Sequence, residues 1–210
     1  MKILFFGDSI TDAGRNREHD HAIYDYGHGF VKFIAGELIA ENPVGYEIYN
    51  RGISGNRIVD LYARVKADVW NLQPDVLSIL IGINDIWHEI GNQNGVDIVR
   101  FEKIYRMMIE DTLARLPNVK LIFCEPFVLA GTATYERMSE FLEVKQYAKV
   151  VEKLAKEFSA YFLPLQEKLE QAAHQYSPEL YLADGVHPNT AGAKLIANEW
   201  LQLYKKEIEK

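Results

Sequence analysis

Five short apolar runs, each separated from the next by a longer stretch of helical periodicity, constrain this chain more than any other feature. The runs are Lys2–Phe6, Tyr46–Asn50, Val76–Ile81, Val119–Cys124 and a weaker Tyr161–Leu163. Each is too short for a helix, and Gly7 ends the first, so they read as buried strands. Ile58, Leu61, Tyr62, Val65 and Val69 fall at i, i+3, i+4, i+7 and i+11, one helix face. Ile98, Phe101, Tyr105 and Met108 repeat the pattern, and Leu116 extends it until Pro117 stops it. Met138, Phe141, Ala148, Val151, Ala155 and Phe158 do so again, and a last helix from Thr190 turns Leu195, Ile196 and Trp200 inward. Strands apolar on both faces belong inside a parallel sheet covered by helices, and the alternation makes right-handed βαβ units. The expectation is an α/β protein: a three-layer α/β/α sandwich on a central, mostly parallel five-stranded sheet of order 2-1-3-4-5. No repeat, low-complexity tract or linker splits the chain, so residues 1–210 read as one domain.

A chain of 210 residues, 48% hydrophobic, buries a sufficient core without disulfide staples. No apolar run approaches the ~20 residues of a membrane helix. The N-terminus has no basic segment followed by a long apolar stretch, so no secretion signal is expected. Cys124 is the single cysteine and has no internal partner, which fits a buried residue in a reducing, cytoplasmic compartment. A net charge of −7 weighs against a nucleic-acid backbone as partner and mildly favours neutral substrates. Exposed aromatic loops leave a homo-oligomer open.

Four loops break the regularity. Ser9 stands just past the first strand, where open α/β sheets place their ligands. Asp8 and Thr11 are expected to hold its turn by side-chain hydrogen bonds, with Asp12 placed to cap the next segment. After the second strand, Arg51-Gly52-Ile53-Ser54-Gly55-Asn56-Arg57 lets backbone amides approach a ligand, and Ser54 or Asn56 is expected to cap the next helix. Asn84, after the third strand, carries an amide that can face a developing negative charge. In Asp184-Gly185-Val186-His187-Pro188-Asn189-Thr190, a carboxylate three residues before a histidine can hold one ring nitrogen and leave the other as a directed base. Taken singly, each loop is an ordinary turn or helix entry. Together they bring nucleophile, base, orienting carboxylate and oxyanion donors to one sheet edge, which is the chemistry of acyl transfer.

Gly7-Asp8-Ser9, Gly52 in its glycine-rich turn, Gly82-Ile83-Asn84-Asp85 and Asp184-Gly185-Val186-His187-Pro188 resemble the four blocks of the SGNH (GDSL-like) hydrolases. They run in family order across nearly the whole chain, with Ile10 where the family motif has leucine. Gly7 to Arg15, Gly52 to Asn56 with Asp60-Leu61 and Ala63-Arg64, and Ile81 to Trp87 are similar to the bacterial intracellular acetyl-xylan esterases of that superfamily. The resemblance implies the flavodoxin-like SGNH hydrolase fold and a serine esterase acting on acetyl esters of carbohydrates. It makes Ser9 the nucleophile, His187 the general base and then acid, and Asp184 the orienting carboxylate. The oxyanion hole it implies is the Ser9 and Gly52 backbone N–H groups with the Asn84 amide, and no metal or organic cofactor is needed.

Asp8, Trp87 and Phe127 are expected against the substrate, since aromatics at strand-end loops stack on sugar rings or line acyl pockets; Tyr24, Tyr26, Tyr135 and Tyr181 lie in similar loops. Glu18-His19-Asp20-His21 with Asp25 and His28 has ligand chemistry without a metal-site spacing, and reads as a polar rim of the pocket. His88 and His174 read as surface residues. Two other functions stay open: a lysophospholipase- or thioesterase-type acyl hydrolase, and a non-catalytic binding protein on the same fold.

Overall fold

Strand β1 (Lys2–Gly7) is hydrogen-bonded on both sides, to β2 (Glu47–Gly52) and to β3 (Val76–Leu80). In the computed structural model, which describes residues 1–17 and 26–209, β4 (Lys120–Cys124) and β5 (Tyr161–Leu163) complete a parallel sheet of order β2-β1-β3-β4-β5. The fold is thus the expected α/β architecture. The second strand sits slightly later than the apolar run alone suggested, because pairing with β1 carries it to Gly52.

Side chains of β1 alternate between the two faces, and both are covered. The Phe5 ring packs edge-on against Phe30 of helix α2 (Phe30–Glu41), centroids 5.8 Å apart, and lies 5.1 Å from Trp200 of helix α9 (Thr190–Glu207). Phe6, pointing the other way, lies beneath the Arg64 guanidinium at 4.4 Å, on helix α3 (Ile58–Val65). Helices α2 and α9 pack on each other, while α3, α5 (Ile98–Arg115) and α7 (Val144–Glu157) make a separate row. Right-handed crossovers put the two groups on opposite faces of the sheet. Burying aromatic side chains of this size on both faces stabilises by about 1.5–3 kcal/mol for each. Within the layer between the sheet and α9, Trp200 Nε1 donates to Ser78 Oγ at 3.0 Å in the middle of β3.

The register matters for function. Gly7 stands level with Gly52 on one side and Leu80 on the other, so three strands finish together and their loops become neighbours. Arg64 closes this edge from below, donating to the carbonyls of Gly7 (3.0 Å) and Arg51 (2.9 Å) while its charge is met by Asp68 at 2.6 Å. The buried Asn50 carboxamide donates to the carbonyls of Thr11 (2.7 Å) and Tyr26 (3.0 Å), tying the turn after β1 to the end of β2.

Two expected local roles fall elsewhere. Helix α3 is capped by Arg57 and Asp60, with Asp60 Oδ2 accepting from the Arg57 N–H at 2.8 Å, rather than by Ser54 or Asn56. Thr11 is buried with its hydroxyl unpartnered among the described residues, so Asp8 alone holds the turn through its side chain. Asp12 ends the short helix α1 (Ser9–Asp12) and accepts from both the N–H and hydroxyl of Ser54, at 3.0 and 3.1 Å.

A Cβ on Gly52 would lie 2.1 Å from the backbone nitrogen of Asp12, which no side-chain rearrangement relieves. Gly52→Ala is therefore expected to destabilise by about 1–3 kcal/mol or more. Urea unfolding checks this, and an unchanged midpoint would refute the close approach.

Candidate active site

The turn Gly7-Asp8-Ser9 leaves β1 with Asp8 as the cap of α1, its Oδ1 accepting from the Ile10 N–H at 3.0 Å. Ser9 Oγ then lies 2.7 Å from His187 Nε2, and His187 Nδ1 lies 2.6 Å from Asp184 Oδ2. The other Asp184 oxygen accepts from the backbone N–H groups of Val186 (2.9 Å) and His187 (2.7 Å). Gly185, at φ 94°, permits this tight return; Asn189 then caps α9 through the N–H groups of Ala191 and Gly192.

Partner count sets the charge of each acid. Burial opposes ionisation of Asp184, but the bonds from His187 and the two backbone donors outweigh it and hold its pKa at about 2. The same Asp184 bond raises His187 above its ordinary value, against a smaller effect of burial. Asp8 accepts from the Ile10 N–H through one oxygen while its other oxygen has no partner among the described residues; burial dominates and pushes its pKa up to about 7.

The segment after β4 braces this loop from beneath. Leu129 N–H donates to the Gly185 carbonyl (2.8 Å), Ala133 N–H to the Asp184 carbonyl (3.1 Å), and Thr134 Oγ1 to the Leu129 carbonyl (2.6 Å). Gln166, which the sequence did not single out, makes the burial of this irregular segment tolerable. Its carboxamide accepts from Val128 N–H at 3.0 Å and donates to the Val128 carbonyl at 2.9 Å. Phe127, expected against the substrate, is accordingly buried completely within this brace. Asp8, also expected there, is fully buried as a cap.

The donors opposite His187 differ from expectation at one position. Gly52 is buried and its N–H already donates to Asn50 Oδ1 at 2.9 Å, so it is not available to a ligand. Gly55 lines the cleft instead, at φ 81°, and its N–H meets no acceptor among the described residues, as is true of the Ser9 N–H. Asn84 Nδ2 gives one hydrogen to the Asn56 carbonyl at 3.1 Å, which leaves its second for the cleft. Gly82, at φ 135°, starts helix α4 (Ile83–Asn92) and sets Asn84 in its first turn. The buried Asp85 carboxylate accepts from Ile58 N–H at 3.1 and 3.3 Å, clamping α4 to the start of α3.

These groups surround a cleft of about 450 Å³ lined by Ser9, Ser54, Gly55, Asn84, Trp87 and His88, with Gly91, Asn92 and His187 completing it. The Trp87 ring lies 5.9 Å from that of His187 and packs edge-on against Phe141 at 5.6 Å. His88 belongs to the cleft rather than to the general surface; its place one turn after Asn84 was the available signal. Tyr26 is buried, Tyr135 is exposed and His174 lies at the surface. Tyr24 and the Glu18–His21 and Asp25 members of the histidine-rich loop lie outside the described residues.

The GDSL-like Lipase/Acylhydrolase family pattern matches residues 5–195, and the chain belongs to that family: it is a carboxylic ester hydrolase. An acetylxylan esterase of Geobacillus stearothermophilus is 35% identical over 208 residues, covering 96% of this chain and 92% of the relative. The solved structure of Axe2, an acetylxylan esterase from the same organism, superposes with a TM-score of 0.85 at 32% identity, covering 96% and 92% of the two chains. A GDSL-like lipase candidate from Parabacteroides merdae superposes with a TM-score of 0.90 at 37% identity, covering 96% and 94%. Catalytic mutants of Axe2 replace a serine, an aspartate and a histidine, the last two three positions apart. Among the described residues no helix is long and apolar enough to cross a membrane.

Asp8 offers a test of the site's electrostatics. A carboxyl whose pKa is higher folded than unfolded stabilises most below its unfolded value near 3.8, and that contribution is lost as pH rises through about 7. Asp8→Asn should therefore gain Tm relative to wild type as pH rises from about 5 to 9. A Tm difference that stays constant over that range would contradict the burial of an unpaired acid.

Proposed function

We propose that Ser9, His187 and Asp184 form a catalytic triad that hydrolyses short acyl esters, with O-acetyl groups on carbohydrates as the substrate class. The observation that carries this is the unbroken hydrogen-bonded line from Ser9 Oγ through His187 to Asp184, at 2.7 and 2.6 Å. His187 Nε2 takes the Ser9 proton as Oγ attacks the ester carbon, and Asp184, ionised, stabilises the imidazolium that results. The carbonyl oxygen, now negative, is received by the N–H groups of Ser9 and Gly55 and the spare Asn84 hydrogen. His187 then protonates the leaving alcohol, and water, activated by the same ring, releases the acid from Ser9.

The acyl length follows from the walls. Trp87 is the one large apolar side chain among the nine cleft residues, the others being small or polar. Such a cleft offers little to a long alkyl chain, which gains about 0.8 kcal/mol per CH₂ only where apolar surface covers it. The acetylxylan-esterase relatives support the carbohydrate alcohol. With acetyl, butyryl and octanoyl nitrophenyl esters, kcat/KM is expected to fall at least about tenfold from first to last. Ser9→Ala is expected to lower kcat about 10⁴- to 10⁶-fold. An octanoyl preference would move the assignment to lipid esters, and a Ser9→Ala variant with a tenth of wild-type activity would end the acyl-enzyme reading.

The pH profile reads the triad separately. Only neutral His187 accepts the Ser9 proton, so kcat/KM falls on the acid side, with its midpoint above the ordinary histidine value of 6.5 because Asp184 raises it. In Asp184→Asn the residual activity should be low and its acid limb should shift to lower pH, since the main cause of the increase is gone. An acid limb unmoved by that substitution would show that another group controls the rate.

A further inference from the structure

Helix α4 gives the cleft more than Asn84. Asn84, Trp87, His88, Gly91 and Asn92 recur at i, i+3, i+4, i+7 and i+8, one helical face, and all five line the cleft. Asn84 faces the oxyanion position and Trp87 flanks the base. His88 has neither task. Its ring is half-buried, Nε2 lies 4.0 Å from where a Cβ on Gly55 would stand, and neither ring nitrogen has a hydrogen-bond partner among the described residues. Burial and the nearby Arg57 guanidinium hold its pKa below the ordinary value, so at neutral pH the ring has one donor and one acceptor. A partly desolvated ring with both functions unpaired suits a group that also donates and accepts, which is a hydroxyl.

The position along the helix says which part of the ester brings that hydroxyl. From Asn84 to Asn92 the helix advances about 12 Å. An acetyl group ends one carbon beyond the reacting centre, so the rest of this shelf is available to the alcohol. A Cβ on Gly91 would meet nothing within 4 Å, so the shelf is open between His88 and Asn92.

We propose that His88, with the Asn92 carboxamide one turn further on, binds a hydroxyl of the alcohol moiety and makes this half of α4 a subsite for polyhydroxylated esters. The inference rests on the acyl-enzyme reading of Ser9 and adds the residues that select the alcohol. His88 acts in binding and takes no part in proton transfer.

The test compares wild type, His88→Ala and His88→Gln on para-nitrophenyl acetate, which has no hydroxyl on its alcohol side, and on O-acetylated xylo-oligosaccharides. His88→Ala is expected to lower the ratio of kcat/KM for the sugar ester to that for the nitrophenyl ester about three- to tenfold, through KM. His88→Gln, which keeps a donor and an acceptor, should recover most of that ratio. Equal losses on both substrates, or a change confined to kcat, would overturn the subsite while leaving Ser9 in place. A wild-type enzyme that cleaves the nitrophenyl ester and ignores the sugar ester would overturn both the subsite and the carbohydrate assignment. Thermal melts of both variants separate these outcomes from loss of fold.

Discussion

Strand β1 is where the sheet changes direction: β2 is added on one side and β3 on the other, and helices leave these strands toward opposite faces. A crevice opens at the carboxyl end of such a switch because the connections diverge there. Level strand ends at Gly7, Gly52 and Leu80 bring the three loops to that crevice. The level ends depend in turn on backbone packing too close for any side chain at Gly52. Moving β1 by one residue would exchange Phe5 with Phe6 between faces and carry Ser9 away from His187, so core packing and the site share one register.

Three aspartates, Asp8 and Asp85 buried and Asp184 half-buried, show how that frame assigns charge without changing residue type. Asp184 collects three donors and stays ionised well into acid, whereas Asp8 has one oxygen unpartnered among the described residues and is raised to about 7. Asp85 accepts from the Ile58 N–H and is raised well above the carboxylate range by burial. Asp184, bonded to the ring, is the main cause favouring the His187 imidazolium, and Asp8 acts in the same direction more weakly. A full charge at Asp8 would add to that effect, and burial, which raises Asp8 to about 7, limits it.

Much of this was legible in the residues. Strand and helix periods identified the elements and a sheet apolar on both faces, and the order 2-1-3-4-5 followed from its being common among doubly wound sheets. Ser9, Asn84, Asp184 and His187 could be placed together once their loops were assigned to one edge. Gly52 and Gly55 could not be told apart in that way. Both belong to one turn, and the choice depends on the Asn50 carboxamide folding back onto the Gly52 N–H, a contact between a buried side chain and a backbone group two residues on. Phe127 was misplaced for a similar reason. Nothing local in the sequence shows that Gln166, on a different helix, satisfies Val128 and lets that stretch run inside. His88 was legible at helical spacing from Asn84 and was overlooked because a lone exposed histidine is usually incidental.

Ser9 and His187 are separated by 178 positions, yet share one hydrogen bond. The proposed nucleophile lies in the first loop of the sheet and its proposed base in the loop before α9, with every other strand between them. Until α9 docks behind Phe5 and carries the Asp184–His187 loop into place, Ser9 is an ordinary alcohol beside an incomplete sheet. Closing so long a loop is slow compared with forming local helices. On the proposed roles, the chemistry therefore reports on long-range assembly: a chain in which α9 has not docked holds Ser9 without its base, and hydrolysis waits on the meeting of segments 178 positions apart.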